Sequence, residues 1–307
     1  MTFETDLLLD RRRLKRRLVF WRVFSVVLLV VAGLTALKAS PLTHKKAHIA
    51  RLSVSGLITE NAALTDAVDK LAEDSNVKAL IVKIDSPGGS VAGGEALHDA
   101  IARVAAHKPV AVVMKGEAAS AGYMIAVPAQ RIFAQEGTLT GSIGVLLESP
   151  EFSGLLSKLG IGAEVVRSGP LKDEPSMVRP ISPAGRDVLQ SIVNDMYDQF
   201  VTMVAKGRNM SPDKVRELGD GRPYTGRQAL ALGLIDQIGD ERDARAWLAS
   251  QKGISTDLDV VDVSTGSHSG WLFSSQAPDM ITGLWKTVIS QSLSLDGAWA
   301  VWHRFGN

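Results

Sequence analysis

The chain has 307 residues, of which 45% are hydrophobic, enough to bury the core of a folded protein and too many for a disordered one. It contains no cysteine, which excludes disulfides, thiolate zinc sites and a cysteine nucleophile. Its net charge of +1 is uneven: residues 1–40 carry +5 and the remainder −4, so the basic residues are not spread over a folded face as nucleic-acid binding requires.

The first 38 residues combine a basic block with an apolar run. Seven Lys/Arg between residues 11 and 22 precede a stretch that is apolar apart from a few small polar residues. With Leu18–Trp21 included, this stretch reaches about 20 residues, enough for a helix to cross a hydrocarbon core of roughly 30 Å if Arg22 extends to the headgroups. Basic residues flanking such a helix stay on the cytoplasmic side of the membrane.

The sequence therefore predicts a cytoplasmic N-terminus over residues 1–17, a transmembrane signal anchor over residues 18–38 and a linker over residues 39–48. This single-pass topology in the inner (plasma) membrane would place the rest of the chain in the periplasm or outside the cell. The alternative is a signal peptide cleaved near Ala36–Ser40, where small residues loosely resemble a cleavage site.

After the linker, strands and helices are predicted in alternation. Short apolar runs rich in β-branched residues, typical of buried strands in a parallel sheet, occur at Ile49–Val54, Val77–Ile84, Val110–Met114 and Arg131–Ala134. Helical spacing, or a run of small residues, predicts helices between them at Asn61–Asp74, Ala92–Ala106 and Ala119–Ala129. Strands that alternate with helices at this pace indicate stacked βαβ units and an α/β fold.

The second half of the chain continues the pattern less regularly. The predicted elements are a helix at Phe152–Leu159, a strand at Ala163–Arg167, a polar loop at Ser168–Arg179, a long helix at Pro183–Arg208, and a turn and helix over Pro223–Ile235. The compact part ends near residue 240, and residues 241–307 form a C-terminal extension for packing or oligomerisation. The extension contains Trp271, Trp285, Trp299 and Trp302. Three roles stay open for these tryptophans: contact with a membrane surface, packing between subunits, or completion of the core.

Common catalytic motifs are missing from the sequence. It has no HExxH, no GxxxxGK[ST], no GxGxxG after a strand and no GxSxG. Of the six histidines, only His98 and His107 lie in the predicted α/β domain, and they flank a helix on opposite sides. A serine nucleophile in this chain would therefore need a base other than histidine.

Two glycine-rich turns at strand ends are candidates for a site. In Asp85–Ser90, Gly88 and Gly89 let backbone N–H groups point into a cleft, as an oxyanion hole requires. In Gly116–Tyr123, Ser120 stands among very small residues where a strand is followed by a helix. Taken alone, the first is also a common turn sequence, and Ser120 is also a plausible helix N-cap.

Four ordered blocks of the sequence carry a family resemblance. They are Asp85–Gly89, Ala119–Tyr123, Thr140–Val145 and Ser168–Asp173. In this order they resemble the signal peptide peptidase A family of the Clp-protease/crotonase superfamily, in its short, single-domain form. The resemblance covers Ile49–Gly239 and implies a Clp-protease/crotonase-like peptidase domain over residues 49–240, preceded by one transmembrane helix.

The resemblance implies a membrane-anchored serine endopeptidase with a Ser/Lys dyad. Its nucleophile maps onto Ser120, its general base onto Lys172, its lysine-orienting serine onto Ser142 and its oxyanion donor onto Gly89. It further implies peptide substrates, namely remnant signal peptides and similar hydrophobic peptides, bound extended along the glycine-rich segments with contacts from Gly88, Ser90 and Gly141. No metal or cofactor is needed, and a ring-like homo-oligomer near the membrane is implied as well.

The neighbours of Lys172 pose a difficulty for this assignment. A lysine amine accepts a proton from serine only in its neutral form, which a nearby carboxylate disfavours. Asp173 and Glu174 follow Lys172 directly, so we expect both to point away from it. Three alternatives stay open: a related membrane protease with another protein target, a crotonase-type enzyme acting on acyl-CoA, and an inactive membrane scaffold.

Overall fold

The computed structural model describes residue 17, residues 20–30, residues 46–264 and the backbone of residues 299–301. Contacts divide the chain into two units, Met1–Lys46 and Ala47–Asn307. In the first unit, residues 20–30 are helical and their large apolar side chains are exposed. The other residues of the predicted anchor, 18–19 and 31–38, lie outside the described residues. No helix within the described ranges is long and apolar enough to cross a membrane.

The second unit alternates strands and helices, as the sequence predicts. Its strands are β1 (His48–Ser55), β2 (Val77–Ser86), β3 (Gly88–Ser90), β4 (Val110–Ala119), β5 (Arg131–Ala134), β6 (Leu139–Gly141), β7 (Pro223–Thr225), β8 (Gln237–Ile238), β9 (Asp259–Asp262) and β10 (Trp299–Val301). Its helices are α1 (Ala62–Glu73), α2 (Val91–His107), α3 (Ala121–Met124), α4 (Ser153–Lys158), α5 (Pro183–Arg208), α6 (Pro212–Leu218), α7 (Gly226–Ala231) and α8 (Glu241–Lys252).

One large sheet organises this unit, with strand order β7-β6-β4-β2-β1-β9. In addition, β5 pairs with β4, and β8 pairs with β5. All its pairs are parallel except β6–β7. The strand β4 changes partner along its length, because its first half pairs with β5 and its last three residues pair with β6. This change of partner brings the end of β4 beside Gly141, the last residue of β6.

Both faces of the sheet are buried, as expected for apolar strands such as Val77–Ile84. One face packs against α1, α2 and α5 in the larger core, and the other packs against Ala244 and Leu248 of α8. The sheet also continues past residue 240, because β9 pairs in parallel with β1. Residues 241–262, predicted as part of the C-terminal extension, thus contribute a helix and a strand to the same layers.

Two predicted elements differ from the structure. The helix predicted at Ala119–Ala129 is reduced to the four residues of α3 followed by turns, because β4 extends to Ala119 and Ser120 leaves helical geometry. The strand predicted at Ala163–Arg167 is wrong: this segment is exposed, with Val166 at 95%, and it pairs with no strand among the described residues. An apolar run needs a neighbouring strand to complete its hydrogen bonds. The long helix α5 has the predicted bounds.

Candidate active site

Ser120 occupies the turn between β4 and α3. Its backbone has φ 55° and ψ −119°, a combination that L-residues rarely adopt and that costs of order 1–3 kcal/mol. The residue is 1% exposed, and its Oγ has no hydrogen-bond partner in the part of the chain that the structure describes. The side chain does not cap α3, so the N-cap interpretation fails. A strained residue with a buried, unpaired hydroxyl is a candidate for a functional role.

Small residues and one tyrosine hold this turn in place. Gly122 lies so close to β2 that an added Cβ would be 3.0 Å from the Ser86 carbonyl oxygen. The Tyr123 hydroxyl donates a hydrogen bond of 2.8 Å to the Leu234 carbonyl, and burial raises the pKa of its phenol. The Ser120 amide donates to the Gly141 carbonyl at 2.8 Å. The turn is therefore fixed on three sides, to β2, to β6 and to the segment after α7.

Gly141 and Ser142 lie beside Ser120 at the end of β6. Gly141 has φ 73°, and a Cβ there would be 2.7 Å from the Tyr224 ring. Ser142 has φ 49°, and its amide donates a hydrogen bond to the Arg222 carbonyl (3.1 Å). Its hydroxyl donates to the Gly221 carbonyl, also at 3.1 Å. Two of the three described non-glycine residues with positive φ are thus predicted site serines, and the third is the helix cap Asn209.

The strand β3 contributes main-chain groups to the same region, since α3 contacts it. The Ile58 amide donates to the Gly88 carbonyl (2.8 Å), and the Ile58 carbonyl accepts from the Ser90 amide (2.8 Å). Because main-chain groups of successive strand residues point to opposite edges, the N–H of Gly89 faces the other edge of β3. On that side β10 pairs with β3 in antiparallel register. The Ser90 hydroxyl caps α2 by accepting from the Gly93 amide at 3.1 Å. The edge of β3 that carries Gly89 is therefore able to hold an extended chain.

Replacing Gly89 with alanine should lower the free energy of unfolding by about 1–3 kcal/mol, because the new methyl group forces the backbone to shift. Its Cβ would lie 1.8 Å from the Ile58 carbonyl oxygen. Urea denaturation measures the change, and Gly137→Ala is the matched control because a Cβ at Gly137 meets nothing within 4 Å. Equal stability of the two variants would contradict the packing of β3 against Ile58.

Lys172 lies in the exposed loop between α4 and α5. Its side chain is exposed, and its amine makes no hydrogen bond or ion pair with any described residue. The structure thus brings Ser120, Gly141 and Ser142 together with the strand Gly88–Ser90, and it shows no bond between Lys172 Nζ and Ser120 Oγ. In the described ranges no group of three or more His, Asp or Glu side chains is arranged to hold a metal ion.

Both carboxylates that follow Lys172 are bound elsewhere, as expected from the sequence. The Arg179 guanidinium contacts Asp173 Oδ2 at 3.2 Å and Glu174 Oε1 at 3.0 Å. The hydrogen bond from the Ser182 hydroxyl, together with Arg179, holds the pKa of Glu174 below its ordinary value. Arg179 was not among the residues predicted for the site; the only sequence signal for it is a basic residue a few positions after an acidic pair.

Comparison with known proteins gives matches over most of the second unit. The model of peptidase family S49 matches residues 102–255, and that of Clp protease matches residues 50–136. "Putative protease slr0021" of Synechocystis sp. is 40% identical over 225 residues, covering 73% of this chain and 80% of that protein. "Putative signal peptide peptidase SppA" of Enterococcus faecium is 38% identical over 241 residues, covering 73% and 70%.

Longer proteins and solved structures also match. "Protease 4" of Salmonella typhi is 40% identical over 177 residues, which are 57% of this chain and 28% of that protein. Among solved structures, a mutant of the 1510-N membrane-bound stomatin-specific protease aligns with a TM-score of 0.48 and 17% identity, covering 71% of this chain and 98% of that one.

Proposed function

The chain belongs to peptidase family S49 and is a serine-type endopeptidase, and we propose that it cleaves remnant signal peptides and similar hydrophobic peptides with a Ser120/Lys172 dyad. The observation that carries this proposal is the geometry of Ser120. Its hydroxyl is buried and unpaired on a strained turn, beside a strand edge able to hold an extended peptide. A nucleophile needs a lone pair that no internal hydrogen bond occupies and a fixed direction of attack, and a structural serine needs neither.

The proposed reaction is acyl transfer. Ser120 Oγ attacks the peptide carbonyl carbon while neutral Lys172 accepts the hydroxyl proton, and the carbonyl oxygen becomes an oxyanion stabilised by the Gly89 N–H. The tetrahedral intermediate collapses, the C–N bond breaks, and Lys172 returns the proton to the leaving amine. Water, deprotonated by Lys172, then attacks the acyl-enzyme carbonyl. The C–O bond to Ser120 breaks, the second product leaves, and Lys172 returns the proton to Ser120 Oγ. Ser142 orients the lysine amine during both steps.

Substrate binding by strand addition is supported by the pairing of β3 with β10. The register places Ala300 opposite Gly89, so the edge of β3 already accepts an antiparallel strand. Strand addition supplies affinity through main-chain hydrogen bonds, which suits a peptidase that acts on varied hydrophobic sequences. Gly88, Ser90 and Gly141 would line the bound peptide on this account.

The dyad further requires that Lys172 Nζ come within hydrogen-bond distance of Ser120 Oγ. Because the loop that carries Lys172 is exposed, we propose that assembly of a homo-oligomer brings the lysine amine to Ser120. Large apolar side chains are exposed on α4 and the segments on either side of it, and a soluble surface rarely shows so many without a partner. These side chains are Phe152, Leu155, Leu159, Ile161 and Val166.

Membrane anchoring is part of the same proposal. The basic block at residues 11–22 and the apolar run that follows it support a single-pass anchor in the inner (plasma) membrane. The catalytic domain would then face the periplasm or the cell exterior, where signal peptides remain in the membrane after cleavage from exported proteins. An anchored enzyme meets such substrates in two dimensions, which raises their effective concentration.

Labelling with a fluorophosphonate probe, followed by peptide mapping, tests the nucleophile directly. We expect modification at Ser120 of the full chain and a matching loss of activity against a leucine-rich peptide. Pre-incubation with that peptide should slow labelling, because both require the same hydroxyl. Modification of a different serine would reject the proposed mechanism.

Replacing Ser142 with alanine should lower kcat/KM about tenfold, the loss expected for one orienting hydrogen bond. A Lys172 amine that Ser142 no longer holds in the cleft is solvated as ammonium, so the acid limb of the pH–rate profile should also move to higher pH. Steady-state kinetics between pH 6 and pH 10 would measure both effects. Ser157→Ala, an exposed serine of α4, is the control. An unchanged profile in Ser142→Ala would remove the orienting role.

A further inference from the structure

Arg179 fastens the loop that carries Lys172 through three atoms of two acidic residues. Its Nε donates to Asp173 Oδ2 (3.2 Å), and one terminal nitrogen donates to the Asp173 carbonyl oxygen (2.7 Å). The other terminal nitrogen donates to Glu174 Oε1 at 3.0 Å. One guanidinium therefore orients both side chains that follow Lys172, and it also fixes the backbone directly after that lysine.

Glu174 in turn connects this loop to the start of the 26-residue helix α5. Its side chain is only 3% exposed, and its Oε1 accepts a hydrogen bond of 2.7 Å from the Ser182 hydroxyl. The carboxylate packs so closely on Gly185 that an added Cβ there would be 2.4 Å from Glu174 Cδ. Gly185 donates its amide to Ser182 Oγ at 3.0 Å. The loop is thereby joined to a rigid element.

The orientation of these two carboxylates matters for a lysine that acts as a base. A carboxylate within about 4–6 Å of an amine favours the ammonium form and removes the lone pair that accepts the serine proton. Asp173 and Glu174 are the acidic groups nearest to Lys172 in the chain, so they would have this effect if they were free to turn toward it. In the structure both are directed to Arg179 instead.

We propose that Arg179 is a positioning residue for Lys172. It holds the carboxylates of Asp173 and Glu174 away from the lysine amine, and it fastens the loop that carries Lys172 to α5. This inference rests on the proposed function, in which Lys172 is the general base. It makes the loop a unit of one base, two carboxylates and one guanidinium. Without the guanidinium, both carboxylates would lose their cation and become available to the amine.

Other charged groups near the loop come from the elements packed against it. The segment before α4 is joined to the loop by the hydrogen bond from the Phe152 amide to the Met177 carbonyl (2.8 Å). Glu151 of that segment and Arg186 of α5 line a cavity together with Pro175 and Ser176 of the loop. Arg186 makes no ion pair in the described ranges, and the guanidinium that does hold Asp173 and Glu174 is that of Arg179.

The test compares pH profiles of kcat/KM in the full-length enzyme. For Arg179→Gln we expect the acid limb to move up by about one pH unit and the activity at pH 7 to fall about tenfold, with KM little changed. Arg179→Lys keeps the charge and should restore part of the activity. The triple variant Arg179→Gln, Asp173→Asn, Glu174→Gln removes the carboxylates as well, so its acid limb should return to that of the unsubstituted enzyme.

Removing Arg179 alone leaves Glu174 buried without its cation, and that variant risks failing to fold. In that case the pair Glu174→Gln, Arg179→Gln is compared with the triple variant, since the two differ only in Asp173. We expect the acid limb of the double variant to lie at a higher pH than that of the triple variant, because only the double variant keeps the Asp173 carboxylate. Equal limbs in this comparison, or an unmoved limb in a folded Arg179→Gln, would overturn the inference.

Lys172→Ala separates a failure of this inference from a failure of the proposed function. If Lys172→Ala retains full activity, Lys172 is not the base and the proposed function fails. If Lys172→Ala is inactive while Arg179→Gln keeps both the activity and the pH profile of the unsubstituted enzyme, the dyad stands and only the role of Arg179 is rejected.

Discussion

Ser120→Ala should abolish peptide hydrolysis, with a loss of at least about 10⁴-fold in kcat, and should leave the fold as stable as before or more so. The loss follows from removing the only atom proposed to form the acyl-enzyme. The gain in stability follows from the structure, because the Ser120 hydroxyl is buried with no partner among described residues. Removing an unsatisfied buried hydroxyl relieves a cost of about 1–3 kcal/mol.

The measurement pairs single-turnover kinetics with urea denaturation of the same variant. Ser120→Gly extends the test: glycine adopts φ 55° without strain, so it should be inactive and more stable still. Ser250→Ala, on the exposed side of α8, should change neither quantity. If Ser120→Ala lost stability together with activity, the serine would be a structural residue and the strained turn would need another explanation.

Lys172→Ala should lower kcat by about 10²–10⁴-fold, the range that general bases contribute, while KM changes little. Lys172→Arg should be as inactive as the alanine variant, since a guanidinium stays protonated at every pH at which the enzyme is folded. Neither substitution should affect stability, because the side chain is exposed and forms no bond with a described residue. Steady-state kinetics over a range of pH would measure these effects.

Chemical rescue makes this test specific. An exogenous primary amine should restore part of the activity of Lys172→Ala, and it should do nothing for Ser120→Ala or Lys172→Arg. Lys158→Ala, in α4, is the control for loss of the positive charge of an exposed lysine. Full activity in Lys172→Ala would show that a different group takes the proton from Ser120.

Most of the fold is predictable because its strongest signals are local. The bounds of α5 follow from Ser182 as N-cap and Pro183 in the first turn, and the helix ends where Asn209 takes a left-handed conformation. Buried strands such as β2 follow from uninterrupted apolar runs. The prediction fails at Ala163–Arg167 because an apolar run indicates only that a strand there could bury its faces. It does not indicate whether a partner strand lies beside it to complete its hydrogen bonds.

The candidate site is predictable only in part. Small residues around Ser120 indicate a close approach of chains, and the structure explains them by the contact of Gly122 with β2. The strain at Ser120 and Ser142 depends on the pairing of β4 with β6, which no local pattern encodes. The role of Arg179 depends on where the loop folds against α5, and three contacts of one side chain leave no periodic trace in a sequence.

The antiparallel pairing of β10 with β3 has a consequence for enzyme kinetics. One edge of a strand accommodates one neighbour, so on the proposed binding mode a substrate must displace residues 299–301 before it can bind. The apparent dissociation constant then equals the intrinsic constant divided by the fraction of molecules whose edge is vacant. Peptides would be selected first by how well their backbones compete with residues 299–301 for the edge of β3. A sequence that pairs weakly as a strand would be excluded whatever contacts its side chains could make.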